Sequence, residues 1–379
     1  VEHKVPFINY KKQYQNIKSE IDEAYFRCMN QGDFIFRKDT VDFENNLAKL
    51  VGKKYGISCD SCTNAMFLSL IAYGIGKGDE VITVDHTYIA TIDAIIHAGA
   101  KPVLIDITED FNINPVLIEQ AITERTKAII PVHLNGRSCQ MDAILDIAER
   151  YKLYVIEDNA QSLGASFRGM RTGEMGDTSC YSLYPAKILG SYGDGGCICT
   201  DDEPIANMLY RLRDHGELPS YLKNHRSSDN DIKFWGYNSL LDNMQAAFLN
   251  VKLKHLTEYI ERRRTIASMY EKDLFGVGDL ALPYPPEEGD YFDVYQNYVV
   301  CTKDRDKLAQ FLKDGGIETL IKWYPANYKM KGLTEIYNKF HLPTTDMVSQ
   351  ECLSLPMYPE LDNWQVEYVI SKVREFYGE

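Results

Sequence analysis

The chain lacks any run of about 18 consecutive apolar residues, the length a membrane-crossing helix needs, and residues 1–12 show no leader-peptide pattern. It also lacks a positive charge balance: the formal net charge is -14. A surface built to read a phosphate backbone is basic, so nucleic acid is not an expected partner. A small anionic substrate stays possible, because it needs only a few local cations or a helix N-terminus. A disulfide framework is missing as well. The nine cysteines are odd in number and scattered, which reads as reduced thiols in a cytoplasmic protein. Cys59 and Cys62 have CxxC spacing, but the only second pair is Cys197 and Cys199. Small residues at a strand end explain them better than zinc does, so no metal is expected. Glycines spaced for a dinucleotide do not occur at 51–63, and no internal repeat is visible.

What is present is ordinary globular composition, 45% apolar and 25% charged over 379 residues, enough for a large domain and a smaller one. From 51 to 200, short apolar runs alternate with amphipathic ones. Strands are predicted at 55–59, 81–84, 103–105, 128–130 and 154–156, with helices at 63–75, 89–98, 116–122 and 142–151. The last of these helices puts Ile144, Ile147, Ala148 and Tyr151 on one face. This alternation predicts an α/β domain with a mostly parallel sheet, whose ligands bind at the carboxyl ends of strands. Beyond 245 the texture changes. Residues 245–264 read as one long helix, prolines break the chain at 283–286, and a strand at 298–301 precedes helices near 308–312 and 364–376. We expect a large domain over 1–255 and a small α+β domain over 256–379.

Four segments at strand ends carry chemistry. Lys187 follows Ser182-Leu-Tyr-Pro-Ala and precedes a glycine-dense stretch. A buried lysine there would have a lowered pKa suited to carbonyl chemistry; a solvated loop lysine is the alternative. Asp158 lies 29 residues earlier at the end of an apolar strand, where a carboxylate is costly unless paired. It suits a cation-pairing role or, alternatively, a helix cap. Ser61, Cys62, Thr63 and Asn64 open a helix and offer a phosphate cradle or a plain N-cap. Tyr88 follows the next strand and is either a stacking ring or a core tyrosine.

In this order the segments resemble the DegT/DnrJ/EryC1/StrS family of nucleotide-sugar aminotransferases that use pyridoxal 5'-phosphate (PLP). The most specific pieces are Glu157-Asp-Asn-Ala-Gln161, Ser182-Leu-Tyr-Pro-Ala-Lys187-Ile-Leu-Gly190, Gly193-Asp-Gly-Gly196 and residues 238–247. The resemblance implies the PLP-dependent transferase fold type I, of the aspartate-aminotransferase type, and a role for each matching residue. Lys187 would carry the cofactor as a Schiff base and shuttle the proton. Asp158 would pair with the pyridine nitrogen, Gln161 would lie near the ring hydroxyl, and Tyr88 and Ala160 would flank the ring. Ser182 and the backbone of Cys62 and Thr63 would hold the phosphate, with Asn64 nearby. Asn238 would reach the phosphate of a neighbouring subunit, which makes a homodimer with shared active sites part of the expectation. L-glutamate would give its nitrogen and leave as 2-oxoglutarate.

The sequence departs from the family pattern in places. Cys62 replaces a small glycine, and Leu240 replaces an arginine that often follows the phosphate asparagine. Arg37 and Lys322 stand at unusual positions and are candidates for binding an anionic substrate. His215, Lys223, His225 and Arg226 are candidates for the nucleotide phosphates. The opening residues 5–14 resemble members that aminate C3 of a dTDP-3-keto-6-deoxyhexose. C4 amination of a UDP-, GDP- or dTDP-4-keto sugar is the alternative, with the product serving glycan, lipopolysaccharide or antibiotic assembly. A dehydratase relative would have histidine at 187, and a non-catalytic sugar-nucleotide-binding regulator would be expected to have lost Lys187 or Asp158.

Overall fold

The structure is a computed structural model that describes residues 3–218, 232, 234–286, 289–333 and 340–379. Lys223, His225 and Arg226 lie outside the described residues. The strands, in chain order, are β1 (Tyr55–Cys59), β2 (Glu80–Val84), β3 (Lys101–Ile105), β4 (Thr126–Ile129), β5 (Tyr154–Asp158), β6 (Ser166–Phe167), β7 (Met170–Arg171), β8 (Thr178–Ser182), β9 (Gly196–Thr200), β10 (Tyr291–Phe292), β11 (Tyr298–Cys301) and β12 (Cys352–Leu355). Seven of them form one sheet in the order β1-β9-β8-β5-β4-β2-β3. Only β9 runs against its neighbours; the links β8-β5-β4-β2-β3 are all parallel. The mostly parallel sheet expected from the sequence is therefore present.

Strands such as β2, with every residue buried, need cover on both faces. On one face Ala65, Met66, Leu68 and Leu70 of α4 (Cys62–Ala72) and Leu209 of α8 (Glu203–Leu212) pack on Ile57, Ile156 and Ile198. On the other, Phe43 and Leu47 of α3 (Lys38–Val51) and Leu249 of α9 (Asn243–Leu253) meet Tyr181, Cys197 and Cys199, while Met141, Ile144 and Ile147 of α7 (Met141–Tyr151) meet Ile82, Ile129 and Val155. Two sheet-covering layers leave the carboxyl edge of the strands open, and every segment singled out above sits there.

The single helix expected at 245–264 is two. Helix α9 ends at Leu253, and α10 (Leu256–Leu274) starts after His255, whose backbone (φ -98, ψ 0) breaks the regular ladder. The apolar spacing continued through the break, so periodicity alone did not reveal it. Helix α10 leads into a second cluster, in which Ile266, Ala267 and Tyr270 pack with β11, β12 and the Val366, Val369 and Val373 stripe of the last helix, Asn363–Tyr377. Val5 joins this cluster through Val5 N to Gly316 O (3.1 Å) and Glu318 N to Val5 O (2.9 Å), so the start of the chain is packed against its C-terminal part.

Candidate active site

The site begins at Asp158, the last residue of β5, with only 3% of its surface exposed. Its Oδ2 accepts from Thr91 Oγ1 (2.8 Å) and its Oδ1 from Ala160 N (3.1 Å). Burial nevertheless pushes this carboxyl above its ordinary value, offset in part by those two donors, the Lys187 amine and His133. A buried carboxylate of this kind is short of a positive partner.

Lys187 approaches from the turn after β8. Its main chain is clamped on both sides by one residue: Gln296 Nε2 donates to Ala186 O (2.8 Å) and Gln296 Oε1 accepts from Ile188 N (2.9 Å). Gly190 closes the turn, where a Cβ would lie 2.4 Å from Pro185 O. Desolvation lowers the Lys187 amine below its ordinary pKa, against the pull of Cys62 and Asp158. A neutral amine beside a carboxylate is what carbonyl condensation needs.

The N-terminus of α4 forms the next wall. Ser61 caps the helix by accepting from Asn64 N (3.1 Å), and the first-turn amides of Cys62 and Thr63 have no intrahelical acceptor. Asn64 turns its side chain to Asp60 (2.8 and 2.9 Å), which also accepts from Ser239 Oγ (2.7 Å). Asn64 thus shapes the turn, and Ser239 ties the neighbouring Asn238, itself exposed, to the same corner. Gly196 pairs across β9 with both Cys59 and Ser182. A Cβ on Gly196 would sit 2.3 Å from Ser61 C and 2.7 Å from Cys62 N, so glycine permits the close approach of strand and helix end.

Gln161 is oriented by its surroundings. Its Oε1 accepts from Asn135 N (2.9 Å) and Asn297 Nδ2 (2.9 Å), so its NH2 remains as the donor. Asn297 in turn accepts a close hydrogen bond from Lys322 Nζ. Burial, reinforced by the charges of Lys187 and Arg263, lowers Lys322 to about 7. Tyr88 is 64% exposed at the mouth. Arg37 stays exposed at the N-terminus of α3, 3.5 Å from Asp33, and His215 is exposed on a left-handed backbone (φ 51). Lys187, Asp158, Gln161 and Lys322 are brought together, whereas Arg37 has no contact with them among the described residues.

Sequence reasoning missed several supports. Glu157 faces away from Asp158 and is fully buried; it accepts from His133 Nε2 (2.9 Å) and Gly173 N (2.7 Å) and from the close Gly176 N. Cys139 N donates to His133 Nδ1 (2.9 Å), which fixes the imidazole proton on Nε2, toward Glu157. The Glu-Asp pair within the motif hinted at two roles, and Thr91 stands in the family-like stretch 87–91 without its bond to Asp158 being legible there, but nothing in the sequence marked Gln296 or Asn297.

Comparison with known proteins decides the family. Residues 15–374 match the DegT/DnrJ/EryC1/StrS aminotransferase family. The chain belongs to it. Among similar proteins, a "pleiotropic regulatory protein" of Geobacillus stearothermophilus is 41% identical over 98% of both chains. The UDP-2-acetamido-2-deoxy-3-oxo-D-glucuronate aminotransferase of Pseudomonas aeruginosa is 38% identical over 96% of this chain and 98% of that one. The dTDP-3-amino-3,4,6-trideoxy-alpha-D-glucose transaminase of Streptomyces venezuelae is 36% identical over 98% and 96%. The crystal structure of S. venezuelae DesV with a ketimine intermediate superposes with a TM-score of 0.94, at 35% identity and full coverage of both chains. This aminotransferase therefore has fold type I, is a sugar transaminase and uses PLP. Its residues fit that cofactor: a buried carboxylate short of a cation, a desolvated lysine, a helix end with free amides and a fixed amide donor surround one space.

Proposed function

We propose that the chain moves the amino group of L-glutamate to C3 of a nucleotide-linked 3-keto sugar, with a dTDP-3-keto-6-deoxyhexose as the leading acceptor. The observation that carries the reaction class is the pairing of a desolvated Lys187 with a carboxylate, Asp158, that burial leaves short of a positive charge. PLP, when bound, supplies the electron sink that allows a carbon to lose its proton. Everything else is asked of the chain.

Asp158 would hold the ring nitrogen in its cationic form, and Thr91 and the Ala160 amide keep its two oxygens aimed. Lys187 would hold the cofactor through its neutral amine, and the same amine would serve as the group that takes up and returns a proton at the reacting carbon. The NH2 of Gln161 would donate to the ring oxygen. The amides of Cys62 and Thr63, with Ser182, would receive the phosphate at the α4 N-terminus, and Gly196 leaves room there. Tyr88 and Ala160 would flank the ring. Lys322 binds the substrate's anionic group: near pH 7 it is poised to take up a proton as the anion arrives.

Asn238 and Tyr88 are exposed, as are Trp235 (93%), three residues before Asn238, and Tyr184 (52%), three residues before Lys187. Such aromatic exposure fits a covered face, and we assign it to a second copy that shares the site. The C3 assignment is supported by relatives whose names place the nitrogen or the ketone at position 3. The regulatory name of one relative does not favour a non-catalytic role, because Lys187 and Asp158 are both retained.

The test is a panel of dTDP- and UDP-linked 3-keto and 4-keto sugars with glutamate as donor. Formation of 2-oxoglutarate with a 3-keto sugar, and a raised KM for it in Lys322→Met, is expected. Turnover of 4-keto sugars alone would refute the C3 assignment.

A further inference from the structure

Beside Asn135 and Asn297, the two residues that hydrogen-bond to Gln161, lies a cavity of about 300 Å³ lined by residues of both the large sheet region and the C-terminal part. Its charged lining is Glu109, Asp110, Asp293 and Glu351 against a single cation, Arg137. That cation is already flanked by carboxylates: Arg137 NH1 lies 2.6 Å from Asp293 Oδ2, and its Nε, which makes no hydrogen bond among the described residues, lies 3.5 Å from Asp110. Its guanidinium is also held flat by Tyr284 (4.2 Å) and Tyr291 (3.8 Å).

Asp293 is only 5% exposed, and its second oxygen, Oδ1, has no hydrogen-bond partner among the described residues. Burial pushes this carboxyl up to about 6 in spite of Arg137. A buried acceptor left over after its salt bridge, in a cavity with an excess of carboxylates and the aromatic walls of Phe111 and Tyr284, calls for positive charge on an apolar body. A metal ion is a poor match, since the described residues contain no cluster of three or more groups that could ligate one.

We propose that this cavity is a binding site for a small organic ammonium ion of about one six-membered ring. Its ammonium meets Asp293 and Glu351, and its apolar body lies against Phe111 and Tyr284. The site is coupled to the cofactor face, because Asn135 and Asn297 line it and both hydrogen-bond to Gln161 Oε1. An occupant that shifts either asparagine changes how Gln161 presents its NH2. The binding claim does not depend on the sugar acceptor.

The probe is benzyltrimethylammonium, a quaternary ion that cannot condense with PLP, titrated calorimetrically into the PLP-loaded enzyme, with benzyl alcohol as its uncharged counterpart. Saturable binding of the cation, at least tenfold tighter than the alcohol and at least tenfold weaker in Asp293→Asn or Glu351→Gln, is expected, with a change in the cofactor's absorption band on saturation. Glu351→Gln carries the test alone if removing Arg137's partner prevents folding. No saturable binding, equal binding of the alcohol, or unchanged affinity in every folded variant would overturn the site. Binding without a spectral change would overturn its coupling to Gln161.

Discussion

Replacing Asn297 by Asp changes one atom and reverses one hydrogen-bonding sense. In the native protein Asn297 Nδ2 donates to Gln161 Oε1 (2.9 Å) and to Asn135 Oδ1 (3.0 Å), while its Oδ1 accepts from Lys322. Asn297→Asp turns both donated bonds into oxygen–oxygen contacts at a site only 4% exposed. Each buried bond lost with its partner stranded costs about 1–3 kcal/mol, and the new Asp–Lys322 contact returns about 1.5–3 kcal/mol as a charge-assisted bond. The net penalty is about 2 kcal/mol, or roughly thirtyfold in an equilibrium constant. It is shared between the fold and cofactor binding, because Gln161 loses one of the two donors that fix its amide and keeps only the Asn135 N–H. The new carboxylate also favours protonated Lys322, which climbs from about 7 toward the ordinary lysine range. The assay is an absorbance titration of the apoprotein with PLP, a thermal melt and a pH–rate profile. Weaker cofactor binding and an upward shift of the limb near pH 7 are expected. If PLP affinity, melting temperature and the profile are all unchanged, the relay from Lys322 through Asn297 to Gln161 is wrong.

Asp158→Asn keeps one acceptor oxygen, for the Ala160 amide, and turns an NH2 toward Thr91, whose hydroxyl can accept from it. The charge is removed, so the variant should load PLP and lose about 10²–10³ in kcat, the usual effect of removing one electrostatic stabiliser; near-native turnover would contradict the pairing. Glu157 is held below its ordinary pKa of 4.5: burial raises it, but His133 and the Gly173 and Gly176 amides outweigh that. With the folded value depressed, its contribution is complete above 4.5 and is lost as pH falls through the lower folded value. Glu157→Gln should therefore lower the urea midpoint at pH 7, and the gap from wild type should shrink in acid; a pH-independent gap would refute this. Gly196→Ala forces a Cβ to within 2.3 Å of Ser61 C and should cost about 1–3 kcal/mol by overpacking. Because the displaced atoms belong to the α4 N-terminus, PLP affinity should fall more than phosphate-free pyridoxal affinity, and equal losses would argue against the phosphate cradle.

The sheet was legible because its strands are short, apolar and end in polar residues. Asp158, Ser61 and Ser182 stand where an apolar run stops, and a parallel sheet brings those stops to one edge. Lys187 was legible only through its company, since a lysine near glycines is common. What could not be read came from distant segments. Asn297 and Lys322 join Gln161 across more than a hundred residues, and no local period records such a contact. The break at His255 escaped because apolar spacing ran through it, while the conflict appears only in the backbone angles. Asn64 illustrates the reverse: its position at the cradle was legible, but its commitment to Asp60 was not.

The most direct test of the central claim is to reduce the PLP-loaded enzyme with borohydride and map the labelled peptide by mass. Lys322 lies close enough to lower its own pKa through Lys187, so two amines compete for the assignment. The phosphopyridoxyl group is expected on Lys187, with none on Lys322. Label on Lys322, or no covalent label at all, would contradict it.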